Sequence, residues 1–155
     1  MKNLLISFKR KAVLFFKCPW KTRWTLAEAV FWLGLTRGTI LLFPFRVIAP
    51  YVGRLNHETP WGCSASQQAI AQDIAWAILV ISRYTPWHSN CLAQAVAGKF
   101  MLQRCGIGST LYLGLKRSAD KLEAHAWLRA GEQIVTGSAV MHQYTSISFF
   151  GAKTS

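Results

Sequence analysis

Apolar residues recur at helical spacing through the front of this chain, and the spacing changes to alternation after residue 110. In residues 1–23, Leu4, Leu5, Phe8 and Ala12 share a helical face that Val13, Leu14, Phe15 and Phe16 broaden. The pattern predicts a helix packed on the domain, with a membrane-surface helix or a partner-docking helix as alternatives. Thr25 to Phe43 is the most apolar stretch: Thr25 is the expected N-cap, Glu28 its capping-box partner, and Pro44 the expected stop. Arg37 interrupts this run, and its apolar stretches fall short of the roughly 18 residues a spanning helix needs, so a buried or interfacial helix is expected. Phe45 to Tyr51 reads as a short helix between Pro44 and Pro50, and Asn56 to Gly62 as a polar turn around Pro60. Ser64 to Tyr84 follows as a helix with Ile70, Ile74, Ala77, Ile78 and Ile81 on one face. Its Asp73 is either the partner of a basic residue from the front half or a solvated charge.

Ser89 to Arg104 predicts a further helix, with Cys91 in its first turn and Gly106 beyond its end. Leu111, Leu113 and Leu115 then alternate with Tyr112 and Gly114, which is strand periodicity. Lys116 to Glu123 reads as a polar loop. Strands are expected at Ala124–Ala130, Gln133–Thr136 and Thr145–Phe149, with a turn at Gly131. About four strands on short connections make an antiparallel sheet. The class is therefore α+β, with N-terminal helices and the Cys91 helix packed on a small antiparallel sheet. At 155 residues one domain is the default, divided into a basic helical region at 1–58 and a core at 59–155.

Charge is uneven: residues 1–54 hold ten Lys and Arg against one acid, residues 55–155 eight against five. A basic front half suits an acidic protein, a membrane surface or nucleic acid. The last is disfavoured, because Trp20, Trp24, Phe31 and Trp32 fall mainly on apolar helical faces rather than on a strand-borne stacking platform. No phosphate-binding loop appears, so no nucleotide cofactor is expected. Cys18, Cys63, Cys91 and Cys105 form no CxxC pair and have no zinc spacing with the histidines, so neither a metal nor a disulfide framework is expected. The first residues are interrupted by Lys9, Arg10 and Lys11 and lack a small-residue cleavage site, which points to the cytoplasm, with membrane association as an alternative.

The candidate chemistry is a thiol and an imidazole. A helix N-terminus at Cys91 supplies partial positive charge and free N–H groups, which favour thiolate. On a strand, His125 points opposite to Ala124 and Ala126 and shares its face with Trp127, which could shield it from water. An imidazole near the thiol can take and return a proton. His57, His88 and His142 are weaker candidates, and Cys18, Cys63 and Cys105 read as structural.

At these residues the chain resembles a known family. TPWHSNCLAQAVAGKFMLQRCGI, LYLGL and AHAWLRAGEQIVTG, together with RWTLAEAVFWLGLTRGTILLFPFRVIAPYVG, resemble the leader-removing protease of lasso peptide biosynthesis over nearly the whole chain. The resemblance implies a papain-like, transglutaminase-like fold and a cysteine protease that cuts a ribosomally made precursor between leader and core. A separate ATP-using cyclase then closes the core. The family carries a leader-recognition domain in front or uses a small separate protein, and this chain looks like the split form. The implied nucleophile is Cys91 and the implied base His125, with Asn90 as a possible oxyanion donor. No aspartate follows His125 to orient it; an orienter is expected on the next strand around Thr136 and Gly137, and a backbone carbonyl, Thr136, Ser138 or Gln143 could serve. A different acyl-transfer enzyme or amidase of the same fold, or a non-catalytic scaffold in a peptide-modification complex, are the alternatives.

Overall fold

The computed structural model describes residues 19–85, 90–118 and 121–151. The amphipathic pattern of residues 1–18 and the His88 and Ser89 positions lie outside these. Helix α1 is Trp20–Leu42. It begins five residues before the expected cap: Thr25 lies inside it and donates its hydroxyl to the Lys21 carbonyl at 3.0 Å, while Glu28 is taken by Arg104. Nothing between Pro19 and Thr25 breaks a helix, and a proline is tolerated at a helix start because the first N–H groups need no partner there. The other end falls where Pro44 requires it: Phe43 is extended, and its N–H closes the last turn on Thr39. At 23 residues α1 is, by length and apolar composition, long enough to cross a bilayer, which the interrupted apolar runs did not suggest.

Helix α2 is Phe45–Val52 and leads through Gly53 into a two-residue strand, β1, Arg54–Leu55. Any side chain at Gly53 would strike the carbonyl of Gly151 on the neighbouring strand. Helix α3, Ala65–Ser82, opens on a capping box in which the Gln67 N–H donates to the Ser64 hydroxyl and the Ser64 N–H to the Gln67 amide oxygen. Asp73 on its outer side lies 3.7 Å from Lys21, both largely exposed, so it is at once paired and solvated. Helix α4 is Cys91–Arg104.

The strands that follow are β2 (Thr110–Ser118), β3 (Lys121–Ala130), β4 (Gln133–Thr136) and β5 (Thr145–Gly151), with a short 3₁₀ turn at Met141–Gln143. The five strands form one antiparallel sheet in the order β1-β5-β2-β3-β4. The expected loop at Lys116–Glu123 is instead the far end of the β2–β3 ribbon. Lys116 faces Glu123 and Ser118 faces Lys121 across it. This end projects past the helices, so it has no face to bury and its polar composition is compatible with strand; opposite charges across the ribbon favour the pairing.

The helices lie on one side of the sheet. Leu26, Ala29 and Leu33 of α1, Ile74, Ala77 and Ile78 of α3, and Ala97, Met101 and Leu102 of α4 meet Leu111, Leu128 and Phe150 in a single core. Alanines and a glycine let α4 sit close: a Cβ at Gly98 would lie 2.9 Å from Leu128 and 3.0 Å from Ile78. That close fit fixes where the first turn of α4 stands relative to β3.

Candidate active site

Cys91 is the first residue of α4 and is half-buried, packed against the core. Asn90 caps the helix: its side-chain oxygen accepts from the Ala93 N–H at 2.9 Å and its carbonyl from the Gln94 N–H at 3.1 Å. Helix geometry leaves the N–H groups of Cys91 and Leu92 without an intrahelical acceptor. The cap uses the oxygen of Asn90, so its amide NH₂ remains a donor beside the thiol.

His125 stands on β3 with Trp127 and Arg129 on the same face, as period-two alternation requires. Its Nε2 lies 3.0 Å from the carbonyl oxygen of Gly137. A carbonyl can only accept, so Nε2 carries the proton, and the neutral ring presents Nδ1 as its basic nitrogen. Gly137 has φ +79°, and a Cβ there would lie 2.6 Å from the Ala126 carbonyl and 3.0 Å from Nε2. The close approach of this carbonyl to the imidazole therefore depends on glycine. The neighbouring side chains do other things. Thr136 is buried with its methyl toward Gly98 and its hydroxyl unpartnered, Ser138 is exposed, and Gln143 accepts from Lys116 at 2.9 Å.

Tyr144 stands against the imidazole. Its ring is 5.0 Å from that of His125, tilted by 34°. Its hydroxyl donates to Glu123 at 3.3 Å, and Lys116 lies over its ring at 5.8 Å. The phenol is pushed above its usual pKa by partial desolvation first, then by Glu123. Among the described residues no hydrogen bond joins the thiol to the imidazole, and in unliganded enzymes such contacts commonly tighten only on substrate.

Behind His125 the same sheet face carries a column of rings. Trp127 lies 6.1 Å from His125, and Tyr112 stacks on Trp127 at 5.5 Å with planes 7° apart. The column ends at Arg129, 1% exposed, which sequence reading passed over. Its guanidinium donates to Tyr112 at 3.0 Å, to the Gly131 carbonyl at 2.7 Å and to the Thr59 carbonyl at 2.8 Å, and lies 4.0 Å from the centre of the Trp61 ring. The available signal was period two itself: His125, Trp127 and Arg129 occupy one face of one strand. Cys63 and Cys105 are half-buried free thiols, Cys63 lying against Gly131, Cys18 lies outside the described residues, and His142 is exposed. Among the described residues no three His, Cys, Asp or Glu side chains are grouped to hold a metal.

A thiol at a helix mouth and an imidazole with one nitrogen fixed are the residue types of an acyl-transfer pair: a thiol can attack a carbonyl and a ring can manage the proton. Residues 39–148, more than half of the chain and including both Cys91 and His125, match the family model of the transglutaminase-like superfamily. Neither the comparison with curated proteins nor that with solved structures returned a match. An α+β fold of four helices on a five-stranded antiparallel sheet and a match of this extent lead to one conclusion: the chain belongs to the transglutaminase-like superfamily, whose fold serves cysteine peptidases and acyltransferases.

Proposed function

We propose that this chain is the cytoplasmic cysteine protease that removes the leader from a lasso peptide precursor, working with a separate leader-recognition protein and ahead of an ATP-using cyclase. The reading is supported by the superfamily match, by the resemblance of the Cys-Leu and His-Ala-Trp segments, and above all by one observation. His125 donates Nε2–H to the Gly137 carbonyl, which leaves Nδ1 as the base without an aspartate to orient the ring. A thiol nucleophile needs less activation than a hydroxyl, so a dyad held by a backbone carbonyl is enough.

In this mechanism the Cys91 thiolate attacks the carbonyl at the leader–core junction. The Cys91 N–H and the Asn90 amide hold the developing oxyanion. His125 gives its proton to the leaving amine of the core, which departs as a free N-terminus for the cyclase. Water, deprotonated by the same imidazole, then hydrolyses the thioester and releases the leader acid. Holding the leader on the recognition protein raises the local concentration of the cut site and supplies the specificity the open site lacks.

The test is incubation of precursor, recognition protein and this chain, followed by mass analysis. Wild type releases leader and core, whereas Cys91→Ala and His125→Ala each lower the rate at least ~1,000-fold. Crosslinked precursor without cleavage would identify an acyl transferase of the same fold. Unchanged release with Cys91→Ala would leave the chain a non-catalytic scaffold.

A further inference from the structure

Among the described residues, the outward side of α1 packs against no other element. Trp20, Trp24, Phe31, Leu35 and Leu42 recur at intervals of four and seven residues, so they form one stripe along the helix, and all are exposed, from 47% at Leu35 to 77% at Leu42. A helix that is apolar on both its inner and outer sides has two apolar surfaces to cover, and this one covers only the inner. Along the second half of α1, against α2, the stripe borders an almost wholly apolar groove of about 320 Å³, lined by Leu35, Thr39, Phe43, Val47 and Tyr51.

The net charge around this surface is positive. Lys21 and Arg23 flank its start, Arg46 stands on α2 beside the groove, and Arg54 follows. The acid on α1, Glu28, is neutralised by Arg104, whose Nε and Nη2 reach its two oxygens at 2.5 and 2.6 Å. Asp73, at the same end, faces Lys21. A protein partner would have to bring both a long apolar ridge and a set of acids. A bilayer of anionic lipids offers both everywhere, and indole and phenol rings on such a face settle at headgroup level.

We infer that the outer face of α1, continued by α2, rests on an anionic membrane surface, with the helix in the plane of the interface. Crossing the bilayer is excluded by how α1 is held. Leu26, Ala29 and Leu33 are buried against α3 and α4, and the Thr36 hydroxyl reaches the Ala93 carbonyl in the first turn of α4 at 3.2 Å. A spanning α1 would strip these contacts; an interfacial one keeps them and buries only the stripe. The inference stands on this surface alone and holds whether or not Cys91 is catalytic.

Flotation of the full chain with vesicles tests it. Equimolar phosphatidylglycerol–phosphatidylcholine vesicles should carry wild type upward, phosphatidylcholine alone should carry far less, and added salt should release the bound protein. Trp24→Ser with Phe31→Ser should weaken binding at least tenfold. Lys21→Glu with Arg46→Glu, all-surface changes that leave the core intact, should weaken it about fivefold or more per site. Ile147→Ser, an exposed apolar position on the sheet, should change nothing. Circular dichroism confirms that each variant is folded. Wild type that stays with the soluble fraction, binds neutral vesicles equally well, or joins only a protein partner would overturn the inference. So would binding that survives both pairs of substitutions, since it would then belong to another part of the chain.

Discussion

Gly137 does two things that another residue cannot do together. Its backbone sits at positive φ, and its carbonyl comes within hydrogen-bonding distance of the His125 ring in space that a Cβ would occupy. Gly137→Ala should therefore move the carbonyl or the ring, and a displacement of about 1 Å in a catalytic group costs on the order of 100-fold in rate. The expected result is a fall of that size in kcat for leader release with KM nearly unchanged, read in the same precursor assay. Ser138→Ala, one residue on and exposed, should leave kcat within about twofold. An equal loss in both variants would show that the turn as a whole, rather than the glycine carbonyl, positions the imidazole.

Among the elements, α4 carries the least expected burden. Lys99, in its third turn, is 2% exposed and donates to the Ser109 carbonyl at 2.6 Å and the Phe150 carbonyl at 3.1 Å, tying the helix to the start of β2 and the end of β5. Burial pulls its pKa down from 10.5 to about 8. Between those values the unfolded chain keeps a proton that the folded chain has released, so stability rises with pH there. The penalty for a buried ammonium is fully present below pH 8 and gone above 10.5. Its size is up to about 3 kcal/mol, part of which the two carbonyl bonds offset. Tyr112 and Tyr144 are shifted upward and contribute the opposite sign only once phenols begin to titrate. Urea unfolding from pH 7.5 to 9.5 should thus show wild type gaining on Lys99→Met as pH rises; parallel curves would mean that Lys99 stays charged in the fold. Elements whose cause is local were readable in the sequence: the α1 stop at Pro44, the α3 start at Ser64 and the strand Gln133–Thr136. The ribbon end at Lys116–Glu123 was not, because a projecting hairpin buries no face and its composition is that of a loop. Nor was the α1 start, because Thr25 can cap or sit within a helix equally well and Pro19 decided the matter. At the site, the thiol at its helix mouth and the histidine facing with Trp127 were legible from spacing. The Gly137 carbonyl was not, since a backbone group brought in by a turn leaves no side-chain signature.

At the scale of the molecule, residues 19–58 join the remainder through the apolar packing of α1 on α3 and α4 and the pairing of β1 with β5, and two polar ties stand beside these. One is the Glu28–Arg104 pair, which couples α1 to the end of α4. The other is the strap at Glu58–Trp61, pinned to the outer face of the sheet by Arg129. The ion pair in that strap is long, 3.9 Å from Arg129 to Glu58, and Glu58 is 38% exposed on its side chain, so its charge is well screened. The carbonyls of Thr59 and Gly131, the Tyr112 hydroxyl and the Trp61 ring do the holding, because they meet a guanidinium that is almost wholly removed from water. Glu58→Gln should accordingly cost less than about 1 kcal/mol. Arg129→Met should cost about 3–5 kcal/mol, since it strands two buried carbonyls and opens the floor of the aromatic column under His125. Arg129→Lys should recover little of this, because three donors on a flexible stem cannot reproduce a planar fork that reaches three acceptors in different directions. Denaturant unfolding of the three variants gives the ranking. If Glu58→Gln proved as costly as Arg129→Met, charge rather than the carbonyl bonds would hold the strap, and the column of rings beneath His125 would depend on ionic strength as well.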